Sequence, residues 1–475
     1  MTTGATAGIG HPAELERIHI VGIGGAGMSA IATVLAAMGH RVTGSDLRES
    51  AVTGRLRDLG IDVAIGHRAE HVAGADLVTY STAVAEANPE RADAVRRGIP
   101  VASRSDVLAA VAGLRRTIAV AGTHGKTTTS SMLALILVEA GLHPSFLIGG
   151  EVNEIGTNAV WDEGAWIVVE ADESDGTFLD LRPEIAVVTN IEADHLDHFG
   201  TFAAVRAAFA RFLDGVAGAR VVCGDDPEAA ALGAAAGAVP VGTGVTAGPA
   251  GPGAAWRIDE VELGRSSASF TLTGPGAPDG LAVRLAVPGL HNVRNASVAA
   301  VAALAAGAPP PAVVAALGRF GGVARRFEFR GAENGITFVD DYAHLPTEVR
   351  ATLAAAAGGG WERVVAVFQP HRYSRTAEVG EEFGGAFGEA GVVVVTDVYG
   401  AGEAPIPGIS GRTVADAVAR SLGPERVRYV PGRAELAGEL AGLLAPGDLC
   451  LSLGAGDLTA LPDEVLDLLR APDVR

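Results

Sequence analysis

Twice in this chain an apolar strand runs straight into a glycine turn that opens a helix, and this repeated junction constrains the fold more than any other feature. The first is IHIVGIGGAG after Arg17, continued by the helical stretch MSAIATVLAAMGH, which closes near Gly39. The second is RRTIAVAGTHGKTT from Arg115, continued by the apolar run MLALILVEAGL. A buried strand, a glycine turn and a helix form the repeating unit of a doubly wound parallel sheet. Further runs keep the alternation: RVTGSD, DLVTYSTAV and GIPVASR early; IVVEAD, IAVVTN and the helical FAAVRAAFARFL in the middle; ITFVDD, RVVAVFQ, GVVVVTD, VRYVPG and LCLSLGAGD late. The expected fold is α/β in three domains: Rossmann-like over 1–114, a central P-loop-type ATPase sheet over 115–320, and Rossmann-like again over 321–475. The length of 475 residues suits three domains of roughly 150 residues each. The stretch GTGVTAGPAGPGAA, Gly242 to Ala255, reads as a surface loop.

Charge limits the partners. Lysine and arginine number 36 against 56 acidic residues, a formal charge of −20, which opposes general binding to nucleic acid or an anionic membrane. An anionic ligand then needs a local cluster of donors. Cys223 and Cys450 form no CxxC pattern, the first 16 residues carry no charged segment followed by an apolar one, and MLALILVEAGL is too short to span a bilayer. The expectation is a cytoplasmic protein, a monomer or weak homodimer, with no nucleic acid partner and no membrane insertion.

The two turns carry different chemistry. Gly22, Gly24 and Gly27 satisfy GxGxxG, and Asp46 stands 19 residues beyond Gly27 at the end of the next strand. Glycines let the backbone approach a diphosphate at the helix N-terminus, and the acid can reach a ribose hydroxyl. A dinucleotide and a nucleotide-sugar both satisfy that geometry. An NAD-dependent oxidoreductase would explain this turn, but it leaves the second one unexplained. There Gly122, Thr123, His124, Gly125, Lys126, Thr127 and Thr128 form a loop whose lysine is the only one in the chain. A standard Walker A places a glycine where Val120 stands, so the loop is compressed. Its amides, the positive end of the following helix and the Lys126 ammonium suit phosphate, and the Thr127 hydroxyl suits Mg²⁺. A planar guanidinium does not fit a narrow loop as an ammonium does. A mechanical P-loop ATPase is disfavoured by the compression.

Other candidates lie at strand ends, where parallel sheets present side chains to ligands. They are Glu170, Asp172 and Glu173 in EADESD, then Asn190 followed by Asp194, His195, Asp197 and His198. The spacing of the last group is not that of HExxH, and no cysteine joins it, which argues against zinc. Asn292 and Asn295 stand three apart on one face of a helix start, where one of them could serve as a cap. GGVARRFEF supplies Arg325 and Arg326, VDDYAHLP supplies Asp340, Asp341 and His344, and FQPHRYSRT supplies His371, Arg372 and Arg375 in a basic, proline-shaped loop. Arginines there could neutralise charge on a transferring phosphoryl group or hold a carboxylate.

Together GIGGAGMSAIA, GTHGKTT, EADESD, TNIEADHLDHF, HNVRNA, RRFEF, DDYAHLP and FQPHRYSRT resemble the Mur ligases, in family order from about residue 17 to residue 457. The resemblance implies an ATP-dependent amide ligase of peptidoglycan precursor synthesis that joins L-alanine to UDP-N-acetylmuramate. The substrate carboxylate attacks the γ-phosphate, and the amine then attacks the resulting acyl phosphate. It also implies Mg²⁺, with Mn²⁺ as a substitute, held by Thr127, Glu170 and His195. Lys126 would hold the β- and γ-phosphates, Asn292 and Asn295 the adenine, Arg326 the phosphates, and Asp341 the ribose. Gly24, Gly25, Asp46, Gly66 and His67 would line the uridine nucleotide pocket, which favours the nucleotide-sugar there. Glu173 would face substrate, and His344, His371, Arg372 and Arg375 the incoming alanine and the reacting carboxyl. Lys126, His195, Arg326 and His344 would be catalytic. A relative that joins murein tripeptide to the same sugar nucleotide shares most of these motifs and differs in the amine pocket of the third domain. Two departures stand out. Many relatives read DYxHHP where this chain has Leu345, and the carbamylated lysine of several relatives has no counterpart in a chain with one lysine.

Overall fold

The computed structural model describes residues 15–81, 83–174, 176–245 and 255–470. The chain divides into two compact units. One comprises Met1–Asp259, Thr271–Val283 and Arg294–Phe320; the other comprises Glu260–Phe270, Arg284–Val293 and Gly321–Arg475.

The first sheet contains β1 (Arg17–Val21), β2 (Arg41–Asp46), β3 (Asp62–Ile65), β4 (Leu77–Tyr80) and β5 (Val101–Ser103), in the order β3-β2-β1-β4-β5. All four pairings are parallel. The order reverses at β1, so the carboxyl end of β1, where the first glycine turn begins, lies at the switch point that gathers ligands in such sheets.

The second sheet contains β6 (Arg116–Ala121), β7 (Ser145–Val152), β8 (Thr157–Val160), β9 (Trp166–Glu170), β10 (Ile185–Val188), β11 (Arg220–Cys223), β12 (Val239–Gly242), β13 (Trp256–Leu263), β14 (Ala268–Gly274) and β15 (Ala277–Leu285). Their order is β15-β14-β13-β12-β11-β10-β6-β9-β7-β8. β6 pairs in parallel with both β9 and β10, which sets the second glycine turn between two strand ends that carry polar residues. The helix Lys126–Glu139 follows, buried from Thr128 to Leu137, so this apolar run packs inside the protein. Rings of Phe178, Phe209 and Phe212 meet at 5.1–5.2 Å in a core shared by the first two sheets.

The third sheet contains β16 (Glu328–Glu333), β17 (Ile336–Asp341), β18 (Arg363–Phe368), β19 (Val392–Val395), β20 (Val427–Tyr429) and β21 (Asp448–Leu453), in the order β16-β17-β21-β18-β19-β20. Only β16 is antiparallel to its neighbour. β21 is buried at every position, and continuous apolar runs of this kind suit parallel strands covered on both faces. The architecture is thus three-domain α/β, as the repeated junction predicts.

Two regions differ from the sequence reading. The hairpin β7–β8 and the strands β13 to β15 add β-structure that the strand–helix alternation does not announce. FQPHRYSRT is only half a loop, because the helix Tyr373–Val379 begins directly after Arg372. Glu403 accepts from the Ser374 backbone amide at 3.0 Å and from its hydroxyl at 2.7 Å, so a carboxylate 29 residues away supplies the helix-start partner. Residues 246–254 of the expected loop Gly242–Ala255 lie outside the described residues. Among the described residues no helix is long and apolar enough to cross a membrane.

Candidate active site

The phosphate-type loop is built by its backbone and pinned by β10's end. Gly122 and Gly125 hold φ of +139° and +78°, which glycine adopts without strain. A side chain at Gly122 would collide with the Thr189 hydroxyl, and one at Gly125 would stand 2.6 Å from Asn295 Oδ1. Asn190 grips the loop: its carbonyl accepts from the Thr123 amide at 3.1 Å, its Oδ1 from the His124 amide at 2.8 Å, and its Nδ2 donates to the His124 carbonyl at 3.0 Å. The Thr189 hydroxyl donates to that same carbonyl at 2.6 Å, and His124 Nε2 lies 3.2 Å from Glu192. Of the loop amides expected to suit phosphate, those of Thr123 and His124 are turned into the protein. Those of Lys126, Thr127 and Thr128 open the helix, which has no side-chain cap. A helix start of this kind attracts an anion.

The charge lies beside those amides. Lys126 Nζ is 2.8 and 2.6 Å from the two oxygens of Glu173, which is 2% exposed, and 3.9 Å from Asp172. Burial works against the ammonium, but Glu173 and Asp172 outweigh it and hold its pKa above the ordinary lysine value. The Thr127 hydroxyl donates to Glu170 Oε1 at 2.9 Å, and Glu170 Oε2 accepts from the Gly149 amide at 2.6 Å. A hydroxyl beside a carboxylate is a hard-oxygen donor pair of the kind Mg²⁺ favours when phosphate and water complete its shell. His195 sits at φ +55° before the short helix Leu196–Phe199, with Nε2 3.4 Å from Asp194. His198 Nε2 lies 3.1 Å from where a Gly176 side chain would begin. The side chain of Asp197 lies outside the described residues. Among the described residues no trio of His, Cys, Asp and Glu is arranged to hold a metal by itself.

The first turn is held differently. Gly22 takes φ +77°, and the Ser45 carbonyl accepts from the amides of both Gly22 (2.8 Å) and Ile23 (3.0 Å). Asp46 Oδ2 accepts from the Gly24 amide at 2.8 Å, while the Asp46 carbonyl accepts from Gly66 at 2.7 Å. Gly25 opens the helix Ala26–Ala37, again without a side-chain cap. His67 follows Gly66, its Nδ1 2.9 Å from the Ser45 hydroxyl. The structure therefore groups Gly24, Gly25, Asp46, Gly66 and His67.

Arg104, which the sequence reading passes over, stands between these turns. Its guanidinium lies 2.6 Å from where a Gly27 side chain would begin and 3.9 Å from Asp172. Burial pushes the Asp172 carboxyl up, and Lys126, the Ser174 amide and Arg104 together bring it below its ordinary value. Arg104 lies in SRSD at the end of β5, a strand end like those that carry the other candidates.

In the other unit, β17's end and the start of the helix Pro346–Ala357 form a second polar cluster. Asp341, 6% exposed, accepts from the amides of Phe327 and Ala343, both at 2.8 Å. Burial pushes its carboxyl up to about 6, against the pull of Arg326. Glu348 accepts from the His344 amide at 2.9 Å and from Leu345 at 3.2 Å, and lies 3.8 Å from Arg326. Arg325 instead turns to Asp340 at 3.4 Å and to the Gly454 carbonyl at 2.7 Å. His344 meets His371 edge-on at 5.7 Å, and His371 stacks on Tyr399 at 5.9 Å. Burial, then His344, Arg375 and Arg372, bring His371 down to about 4. Arg375 Nη1 is 3.4 Å from His371 Nδ1, and the Arg372 amide donates to the Tyr399 carbonyl at 2.9 Å. Leu345 is buried, so a side chain sits in the core where many relatives would show an imidazole. Of the two asparagines, Asn295 adjoins Gly125, whereas Asn292 donates to the Pro288 carbonyl at 2.7 Å, a local bond at the helix start.

A compressed phosphate loop with its lysine among carboxylates, a second glycine turn backed by an acid, and a third parallel sheet with a basic strand end define a nucleotide-using α/β enzyme with two nucleotide-type turns. Family comparison makes this specific. Residues 17–116 match the Mur ligase family catalytic domain, 120–303 the Mur ligase middle domain, and 325–456 the Mur ligase glutamate ligase domain. The chain belongs to the Mur ligase family. It is 48% identical over 479 residues to the UDP-N-acetylmuramate--L-alanine ligase of Kineococcus radiotolerans, covering 99% of each chain. The crystal structure of the UDP-N-acetylmuramate-alanine ligase of Thermotoga maritima superposes with a TM-score of 0.80 at 30% identity, over 96% of this chain and 99% of that one. A murein peptide ligase from Psychrobacter arcticus shares the fold at 24% identity, with a TM-score of 0.70 over 97% and 100% of the two chains.

Proposed function

We propose that this chain is an ATP-dependent ligase that joins L-alanine to UDP-N-acetylmuramate through an acyl phosphate, in peptidoglycan precursor synthesis. The observation that carries the reading is the 48% identity to a UDP-N-acetylmuramate--L-alanine ligase across 99% of both chains, which includes the third domain, where the amine would be read. ATP follows from the family and from the loop around Lys126. In this reading Lys126 exchanges its carboxylate partners for phosphate oxygens, and the amides of Lys126, Thr127 and Thr128 complete the cradle. Mg²⁺, when bound, would screen charge on the phosphates during transfer. Thr127 and Glu170 offer it adjacent oxygen donors at 2.9 Å from one another, with His195 as a further ligand. Arg326 and Asp341 serve phosphate and ribose, and Asn295 the adenine. His371, held largely neutral, accepts or donates a hydrogen bond without adding charge beside the amine, while Arg372 and Arg375 face carboxylate.

The test is phosphate release from ATP with UDP-N-acetylmuramate and either L-alanine or murein tripeptide. Release is expected to require the sugar nucleotide and to be fastest with L-alanine. Release that ignores the sugar nucleotide would sink the ligase reading, and a preference for tripeptide would move the chain to the recycling branch of the family.

A further inference from the structure

Behind the first glycine turn lies a polar cluster that phosphate binding does not explain. Glu90, the second residue of the helix Pro89–Arg97, is fully buried. Four donors hydrogen-bond its carboxylate: the Ser45 hydroxyl at 2.5 Å, His71 Nδ1 at 2.6 Å, the Arg68 amide at 3.1 Å and His19 Nε2 at 3.5 Å; His67 Nδ1 also lies 3.5 Å from it. Burial alone would raise the pKa of such a group; these donors outweigh it and bring it down to about 2. At neutral pH Glu90 is ionised.

An ionised carboxylate only accepts hydrogen bonds, and this assigns the protons around it. His71 carries its proton on Nδ1. His19 carries its proton on Nε2, and its Nδ1 faces the Thr43 hydroxyl at 2.8 Å. Ser45 has one proton, which goes to Glu90. Toward His67 Nδ1, 2.9 Å away, the same oxygen has only lone pairs to offer. The proton in that bond therefore sits on His67 Nδ1, and in a neutral imidazole Nε2 is then an acceptor. Nε2 has no protein partner among the described residues, and the side chain is 11% exposed. The end of β2 ties this histidine to the turn: Ser45 binds Gly22 and Ile23, while Asp46 binds Gly24 and Gly66.

We propose that Ser45 and Glu90 are positioning residues that lock His67 in its Nδ1–H tautomer, so that Nε2 accepts a hydrogen bond from a donor on the nucleoside of the substrate. This rests on the reading that the first turn takes UDP-N-acetylmuramate. A uridine nucleotide offers two kinds of donor, the imide N–H of the base and the ribose hydroxyls.

The test uses the whole protein labelled with ¹⁵N-histidine, with the His67 signals assigned by their loss in His67→Gln. The expected spectrum without ligand has a pyrrole-type Nδ1 and a pyridine-type Nε2, and added UDP shifts Nε2. Ser45→Ala should weaken UDP binding about tenfold, a loss typical of one hydrogen bond, while the Kd for ATP and kcat at saturating substrate stay within twofold of wild type. Weakened binding of N3-methyl-UDP points to the base as donor; weakened binding of 2′-deoxy-UDP or 3′-deoxy-UDP points to the ribose. A pyridine-type Nδ1 overturns the proposal, and so does an Nε2 that ignores bound UDP or equal affinity for UDP and all three analogues. Should Ser45→Ala fail to fold, the wild-type spectra alone decide. If UDP does not bind at all, the substrate reading fails instead, and the two failures are separable because the tautomer is read before any ligand is added.

Discussion

The two glycine turns share a backbone plan and differ in what stands behind them. At residues 22–27 the backing is a strand end, where the Ser45 carbonyl and the Asp46 carboxylate consume turn amides, with the buried Glu90 behind it. At residues 122–127 the backing is Asn190, which consumes two amides, and the added charge is the ammonium of Lys126. Behind the first turn stand backbone carbonyls, carboxylates and imidazoles, with the Arg104 guanidinium at its far glycine, Gly27; the second turn carries a cation, Lys126, within the loop itself. A glycine pattern thus marks where a phosphate can approach, but its polar backing decides how much charge the site tolerates and which part of a nucleotide it reads.

Exchanging the cation breaks the contrast most severely. Lys126→Arg is expected to lower kcat more than tenfold with an unchanged circular dichroism melting curve, because a planar guanidinium does not fit between Glu173 and the helix start. Activity above a tenth of wild type would contradict this. Next comes Asn190→Ala, which frees the His124 amide and leaves the His124 carbonyl to Thr189 alone. The KM for ATP should rise about tenfold while the KM for the sugar nucleotide holds, the cost of losing two hydrogen bonds at one loop. An equal rise in both would show that the two turns are not backed independently.

The last contrast is in stability against pH, read apart from turnover at neutral pH. Glu90 falls from an ordinary 4.5 to about 2 in the fold, so its contribution is full above pH 4.5 and is lost as pH drops through 2. That window corresponds to about 3 kcal/mol for a fully buried group. His371 falls from 6.5 to about 4, so the fold favours its neutral form; this contribution is full above pH 6.5 and fades as pH falls to 4. Its partial exposure screens it to about 1 kcal/mol. In melting curves from pH 7 to 3, His371→Gln should flatten the upper slope and Glu90→Gln the lower one. A shared response would mean the two windows are misassigned.

Much of this was legible in the sequence because it depends on local chemistry. A strand, a glycine turn and a helix are adjacent in the chain, so the three-sheet plan and both turns could be read from pattern alone. The sole lysine and the acids at strand ends were visible for the same reason. What escaped depends on distant partners. The Tyr373–Val379 helix starts with Glu403, the loop amides of Thr123 and His124 are claimed by Asn190, and Arg104 reaches Asp172 from another sheet. Glu90 carries no signal of its own in the sequence; its burial depends on Ser45, His19, His67 and His71, which come from distant segments. Long-range pairs of this kind leave no period in the sequence.

The enclosure of Lys126 between Glu173 and Asp172 also makes the protein a convenient self-report. Its side chain is 13% exposed and is the only amine-bearing side chain among all 475 residues. A slow amine-directed acylating reagent therefore has one side-chain target, and that target is the phosphate loop. Each modified molecule gains a single mass increment from the side chain and loses the loop's cation, so protection of that increment by a bound ligand would report loop occupancy without any peptide mapping.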